Sequence, residues 1–246
     1  NISCLKIFLI KMIELSLIIP CFNESENLPL LLKSCREIAA VESNIEFVIV
    51  DNGSTDNTSQ VLDQLVGSLD FVTRVTVEKN QGYGYGILSG LSRANGELIG
   101  WTHADMQTDL ADALKALELF RSSDNPRTLF IKGRRYGRPF SDVFFTVGMS
   151  IFETILLRRS MWDINAQPTI FHKSFYLNWD SPPNDFSLDL YAYYLAKNNN
   201  LSVLRFPVFF GQRAFGVSKW NFGLNSKYKF IKRTFSYSFN LQKRIK

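Results

Sequence analysis

Short apolar runs that stop at clusters of polar residues, with segments of helical period between them, constrain this chain more than any other feature of its sequence. Leu15–Ile19 is continuously apolar and is stopped by Pro20, the pattern of a strand buried on both faces. A 3.6-residue period follows through Leu28, Leu31, Leu32, Cys35 and Ile38. Ile45–Val50 then reads as a second buried strand, with Ser54 or Thr55 placed to cap the helix after it. Phe71–Val77 predicts a third strand, the glycine-spaced segment from Gly82 a helix, and Leu98–Trp101 a fourth strand. Leu110–Phe120 reads as helix and Thr128–Lys132 as extended. Such alternation predicts an α/β fold with a mostly parallel central sheet flanked by helices.

The second half is less regular. Phe140–Leu157 is apolar and aromatic over the length of one or two helices. Ile170 and Phe171 predict a strand, Asp185–Ala196 a helix and Leu201–Phe210 a strand. No linker, repeat or low-complexity segment divides the chain, so residues 1–246 are expected to form one domain. Hydrophobic residues make up 46% of it, enough to fill such a core and to exclude a disordered chain.

The charge is uneven. The formal net charge is +5, and the tail over residues 224–246 is rich in Lys and Arg. Lys227, Lys229, Lys232 and Arg233 alternate there with Tyr228, Phe230 and Phe235, a composition suited to anionic lipid, and no nucleic-acid-binding module accompanies it. Cys4, Cys21 and Cys35 have no metal-like spacing and leave one thiol over in any disulfide scheme, which fits a reducing cytoplasm. No run is expected to reach the roughly 18 to 20 apolar residues that span a bilayer. The opening stretch lacks a cleavage site and does not read as a signal peptide. Met12 is a candidate start, which would make residues 1–11 an upstream extension.

In an open parallel sheet, ligands bind beyond the carboxyl ends of the strands. Those ends carry Pro20-Cys21-Phe22-Asn23-Glu24, Asp51-Asn52-Gly53-Ser54-Thr55-Asp56 and His103-Ala104-Asp105-Met106-Gln107. Carboxylates and carboxamides gathered at one edge suit a polar ligand with a cation. A dinucleotide fingerprint is excluded because Gly82-Tyr83-Gly84-Tyr85-Gly86 has the wrong spacing, and a phosphate-cradling G-K-[ST] loop is absent.

Five motifs in order, I-I-P-C-F-N-E (18–24), I-V-D-N-G-S-T-D (49–56), N-Q-G-Y-G (80–84), A-N-G-E (94–97) and H-A-D-M-Q (103–107), resemble family 2 glycosyltransferases of the GT-A fold. D-M-Q, G-R-R-Y (133–136) and R-x-x-G-x-S-K (213–219) resemble the dolichol- and polyprenyl-phosphate mannose synthase group within it.

The resemblance implies a nucleotide-diphosphate sugar donor contacted by Pro20, Glu24, Asp51, Asn80, Gly82, Ala104, Arg134, Arg213 and Lys219. It also implies a divalent metal, Mn2+ or Mg2+, at Asp105, Gln107 and His103. Asp51 has a second reading as part of a turn, since Asp, Asn, Gly and Ser favour one without any ligand, but the resemblance favours the nucleotide role. In an extended segment His103, Asp105 and Gln107 would point to one side. Lys132, Arg134 and Arg135 are further candidates for the phosphates, whereas Arg138, Arg158 and Arg159 read as a solvated basic face.

Two positions depart from the family. His103 stands where D-x-D begins, and Asn52 replaces a common second Asp. An imidazole tilts preference toward manganese, and His103 reads either as a ligand or as a bystander.

On the acceptor side the resemblance points to Asp189, then Asp185. A hydroxyl acceptor needs such a base for inverting attack, and a lipid phosphate does not. Polyprenyl phosphate and a lipid-linked envelope glycan are the expected acceptors. Phe140, Val143, Phe144, Val147, Ile151 and Ile155 fall near helical spacing, as in an interfacial helix or a core helix, and the chain is expected at the cytoplasmic face of a membrane. The alternative to an enzyme is an inactive nucleotide-sugar-binding subunit, motivated by the missing acidic pair at Asn52 and His103.

Overall fold

The structure is a computed structural model and describes residues 12–67, 69–216 and 223–244; for residues 223–231 it describes the backbone. Residues 1–11, Cys4 and Lys219 lie outside the described residues, as do the side chains of Lys227, Tyr228, Lys229 and Phe230.

The first half runs β1 (Leu15–Cys21), α1 (Leu28–Val41), β2 (Ile45–Asn52), α2 (Thr58–Val66), β3 (Val72–Val77), α3 (Tyr83–Leu91), β4 (Leu98–Trp101) and α4 (Asp112–Arg121). The second runs β5 (Leu129–Tyr136), α5 (Phe140–Leu157), β6 (Thr169–His172), α6 (Lys173–Tyr176), α7 (Ser187–Asn198), β7 (Ser202–Phe209) and α8 (Gly223–Arg244). They form one 7-stranded sheet of order β3-β2-β1-β4-β6-β5-β7. Strand β6 is antiparallel to both β4 and β5, and the remaining pairs are parallel.

Side chains alternate across a strand, so β1 feeds both faces. Leu15, Leu17 and Ile19 pack with α1, α2 and α4, while Ile18 packs with α3 and α7. The second face is aromatic: Trp101, Phe130 and Phe171 meet Phe175 and Tyr193, with Phe130 and Phe171 stacked at 5.5 Å. Helix α1 buries the stripe Leu28, Leu31, Leu32, Cys35 and Ile38 that its period predicts. Helix α2 starts at Asn57 with no side-chain cap, so neither Ser54 nor Thr55 caps it; both bond back to Asn23 instead.

Several motif residues serve the fold. The glycines of the third motif let α3 approach its neighbours: a Cβ on Gly84 would lie 2.5 Å from Pro183 O, and one on Gly86 2.8 Å from the Asn52 side chain. Asn52 donates its amide to Gly82 O at 2.9 Å, a bond that an aspartate could not make. Asn95 and its backbone N–H donate to buried Glu46 at 3.0 and 2.7 Å. The second aspartate of the family pattern is therefore replaced by a donor that this packing uses.

Helix α5 overturns the expectation that no segment is long and apolar enough to span a bilayer. Its 18 residues meet that requirement by length and composition, and only Ser150, Glu153 and Leu157 are buried. Phe140, Phe144, Ile151 and Ile155 face outward, between 53% and 83% exposed, so the apolar stripe is not a core stripe. Its other side packs on α8 through mixed polar and aromatic contacts. Gln242 donates to Leu156 O at 2.9 Å, and Phe152 lies 4.1 Å from Phe235.

Between these helices Ser238 Oγ lies 2.6 Å from Glu153 Oε1 and 2.8 Å from Thr234 O. One hydroxyl proton cannot serve both, but a protonated Glu153 that donates to Ser238 satisfies the set. Burial accordingly pushes the Glu153 carboxyl up to about 7 against the opposing pull of Ser238.

A folded pKa above the unfolded one means that the folded state holds the extra proton, so this contribution to stability weakens as pH rises from about 4.5 through 7. Glu153→Gln is expected to match the wild type near pH 5 and to exceed it at pH 8 by roughly 2 to 3 kcal/mol. Urea unfolding at both pH values checks this; a variant less stable at pH 8 would show that the carboxylate form holds the helices.

Candidate functional site

The carboxyl ends of β1, β2 and β4 open onto a cavity of about 890 Å³, walled on the other side by β5, α5 and the segment after β7. Cross-ties fix the loops. Asn23, at φ +58°, accepts the Thr55 N–H at 2.8 Å, and the Glu24 N–H donates to Thr58 Oγ1 at 2.9 Å. Glu24 faces the cavity and accepts Asn27 Nδ2 at 2.6 Å. Burial raises its carboxyl above the ordinary value, against the bond from Asn27 and the charge of Arg213.

The 103–107 segment is a turn rather than an extended strand. Asp105 Oδ1 accepts the Gln107 N–H at 3.2 Å, and Met106 between them takes the left-handed φ of +57°. His103, Asp105 and Gln107 still line the cavity. Gln107 is tied to the segment after β7: its side-chain amide donates to Gly211 O at 3.0 Å and its backbone carbonyl accepts the Gly211 N–H at 2.8 Å. These paired bonds bring the segment after β7 over the site, where Arg213 Nη2 sits 2.9 Å from Asp105 Oδ2. Burial lowers the His103 pKa, partly offset by Asp105 and Asp189, which favours the neutral ring.

No group of three or more His, Cys, Asp or Glu side chains suited to a metal occurs among the described residues. Asp105 and His103 are close in sequence on the cavity wall, with Glu24 on the other side of Arg213. A divalent ion held there would need further oxygens from a bound ligand.

Adjacent strand residues point to opposite faces, and this decides between the two arginines of G-R-R-Y. Arg134 is exposed and away from the cavity, which corrects its assignment to the phosphates, while Arg135 lines it. Arg135 grips buried Asp163 through Nε at 2.9 Å and Nη2 at 2.5 Å. Arg138 Nη2 lies 3.7 Å and Arg205 Nη2 3.9 Å from the same carboxylate. Burial works to raise Asp163, but Arg135 and Arg138 hold it below its ordinary value. Several guanidinium groups on one carboxylate leave positive charge over, and Arg138, read from sequence as a solvated residue, lines the cavity with Arg135. Its Nη1 donates to Thr146 of α5 at 2.8 Å, and its Nε is buried without a partner.

The acidic pair expected on the acceptor side is occupied. Asp185 accepts the Ser187 N–H at 2.8 Å at the start of α7 and lies 3.3 Å from Arg233 Nε. Asp189 is 2% exposed and forms no part of the cavity wall. Its Oδ1 accepts Trp101 Nε1 at 3.1 Å and Gln167 Nε2 at 2.9 Å, with Lys132 Nζ at 3.8 Å. Lys132 is likewise not a phosphate ligand. It is fully buried within β5, donating to Ala166 O and Thr169 Oγ1, both at 2.8 Å.

Of the residues expected to contact the donor, Glu24 and Arg213 line the cavity with the expected metal residues His103, Asp105 and Gln107, whereas Pro20, Asp51, Asn80, Gly82 and Ala104 are not part of its lining. Asp51 Oδ1 accepts the Ser54 N–H at 3.0 Å and Asn80 Oδ1 the Gly82 N–H at 2.9 Å, so both shape turns. Sequence reading missed Arg138, Asp163 and Gln167. The parity of G-R-R-Y pointed to one arginine of that pair, and nothing local marked Asp163 as the residue that would choose.

The sequence model of glycosyl transferase family 2 matches residues 16–174. The chain is 34% identical over 102 residues to an undecaprenyl-phosphate 4-deoxy-4-formamido-L-arabinose transferase of Proteus mirabilis, covering 39% of this chain and 30% of that one. It is 31% identical over 105 residues to a prophage bactoprenol glucosyl transferase homolog of Escherichia coli, covering 42% and 33%. The matches thus span about a third of those relatives' length.

Among solved structures, glucosyl-3-phosphoglycerate synthase from Mycobacterium tuberculosis, in complex with Mn2+, UDP-glucose and phosphoglyceric acid, superposes with a TM-score of 0.71 at 12% identity, over 93% of this chain and 79% of that one. The mannosyltransferase PcManGT from Pyrobaculum calidifontis, in complex with GDP-mannose and Mn2+, gives 0.67 at 16% identity over 93% and 65%. At these identities the likeness is one of fold, and that fold is GT-A.

Proposed function

The chain belongs to glycosyl transferase family 2, and from that membership we propose that it moves a sugar, with inversion, from a nucleotide-diphosphate donor to the phosphate of a membrane-borne polyprenyl carrier. One observation carries this reading: a single cavity joins the acidic strand-end pocket of Glu24 and Asp105 to the arginine pair Arg135 and Arg138 beside α5. The first pole suits a nucleotide diphosphate sugar with its cation, and the second suits an anionic acceptor. The undecaprenyl-phosphate and bactoprenol transferases among the relatives support the same acceptor class.

An acceptor phosphate oxygen attacks the anomeric carbon from the face opposite the diphosphate, whose bond to the sugar breaks as the new one forms. No proton has to be removed from such an oxygen, in keeping with Asp185 and Asp189 being engaged elsewhere. A lipid-linked envelope glycan accepting through a hydroxyl would instead need a base. A divalent metal held by Asp105 and His103 would neutralise charge on the departing diphosphate, and Arg213 would contact the same oxygens. Lys219 retains its proposed phosphate role from the sequence resemblance alone.

Mass spectrometry of products from Mn2+, pooled nucleotide sugars and either polyprenyl phosphate or a lipid-linked glycan tests the reading. A sugar–phospholipid product, lost in an Arg135→Leu/Arg138→Leu variant that still binds donor, supports it. A lengthened glycan overturns the phosphate acceptor, and bound donor with no product from either acceptor favours the non-catalytic subunit.

The exposed apolar stripe of α5, with exposed Arg158 and Arg159 at its end, supports peripheral contact with an anionic membrane surface on the cytoplasmic side. Phe144→Glu/Ile151→Glu is expected to weaken binding to vesicles containing phosphatidylglycerol by about tenfold or more. Cosedimentation measures this, and unchanged binding would remove α5 from the membrane surface.

A further inference from the structure

We propose that Arg213 is a built-in occupant of the cation position on Asp105, holding that carboxylate until a nucleoside diphosphate arrives, so that metal and donor bind cooperatively. This rests on the donor reading above.

The geometry has three parts. Arg213 Nη2 lies 2.9 Å from Asp105 Oδ2 and Nη1 4.0 Å from Glu24 Oε1, so one guanidinium spans the acidic side of the cavity. The carboxylate is 8% exposed and the guanidinium 25%, which limits how far solvent screens the contact. The segment that carries Arg213 is clipped to the Asp105 turn by the paired Gln107–Gly211 bonds, and Asn27 Nδ2 donates to Phe215 O at 3.4 Å. Finally, Arg213 Nε is buried with no hydrogen-bond partner. The guanidinium is thus parked with donor capacity unused, in reach of the place where a donor's diphosphate is expected.

A divalent ion approaching the ligand-free protein meets two protein ligands, Asp105 and His103, and a positive charge already seated on one of them. Hard cations need more oxygen ligands than that, and the guanidinium repels them. A diphosphate changes both conditions. Its oxygens match the planar guanidinium fork, drawing Arg213 off Asp105, and they supply the missing metal ligands. Coupling of this kind is reciprocal: metal raises nucleotide affinity by the factor by which nucleotide raises metal affinity.

The test measures Mn2+ binding to the full chain through the electron paramagnetic resonance signal of free Mn2+, with UDP and GDP as probe nucleotides. Wild type alone is expected to bind Mn2+ at least about tenfold more weakly than with its preferred nucleotide. Arg213→Gln without nucleotide is expected to bind at least about tenfold more tightly than nucleotide-free wild type, and to lose most of the cooperativity. Adding Asp105→Asn to Arg213→Gln should abolish the gain, which locates the ion. Arg213→Met serves as a second variant, and circular dichroism confirms that each is folded.

Equal nucleotide-free Mn2+ affinity in wild type and the Arg213 variants overturns the proposal, as does absence of Mn2+ binding by those variants. Failure of the donor reading looks different: neither UDP nor GDP binds, while the nucleotide-free comparison still separates the proteins.

Discussion

Asp105→Asn is expected to lower sugar transfer by on the order of 10² to 10³ while leaving the melting temperature nearly unchanged. The side chain does little for the fold: its Oδ1 accepts one N–H, from Gln107, and a carboxamide oxygen can accept that bond equally well. What the substitution removes is negative charge at the cavity-lining carboxylate that lies nearest Arg213, 2.9 Å from its Nη2 against 4.0 Å for Glu24. Charge that develops on a departing diphosphate is stabilised by a cation fixed beforehand, and the neutral amide no longer fixes one. Steady-state kinetics with saturating donor, alongside a thermal melt, separates the two effects. Activity within a few-fold of wild type would remove Asp105 from the reaction and leave Glu24 as the carboxylate to test.

Asp189→Ala is expected to cost about 3 to 5 kcal/mol of folding stability, the largest effect of any single substitution proposed for this chain. It strips the counter-charge from Lys132, which is fully buried, and takes the acceptor from Trp101 Nε1 and Gln167 Nε2. Burial already lowers the Lys132 pKa to about 7, against the pull of Asp189.

The folded value lies below the unfolded one, so between about 7 and 10 the unfolded chain binds more protons and stability rises with pH. The deficit of Asp189→Ala should therefore shrink as pH is raised from 7 to 9, because a neutral amine needs no partner. A Lys132→Met/Asp189→Leu double variant should recover most of the loss, as buried ion pairs replaced by apolar residues often do. If Asp189 were instead an acceptor base, Asp189→Asn and Asp189→Ala would both fold normally and both lose transfer; denaturant unfolding beside an activity assay distinguishes the cases.

Asp189 and Asp185 illustrate why sequence position alone does not assign an acidic residue its role. Asp185 and Asp189 both stand in the opening of a late helix, where negative charge is favourable whatever its use. Their different fates come from partners far away in the chain: Arg233 for one, and Trp101, Lys132 and Gln167 for the other. Likewise Lys132, Arg134 and Arg135 are three basic residues within four positions, and the tertiary structure sends them to a buried ion pair, to solvent and to the cavity.

The sequence by itself determined the layered α/β plan. Apolar runs and helical periods are local signals that reflect which faces must leave water, and β1, β2, α1 and β4 formed close to where those signals stood. It also determined which strand ends carry polar residues, and hence the edge at which the cavity opens. The tertiary structure alone decided which of those residues reach the cavity and which shape turns outside its lining, as Asp51 and Asn80 do. It also decided that the apolar stripe of α5 faces outward while buried Glu153 and Ser150 face in. Periodicity records that a helix has an apolar side, but the side turned to the core depends on what packs against it, and that partner, α8, lies at the far end of the chain.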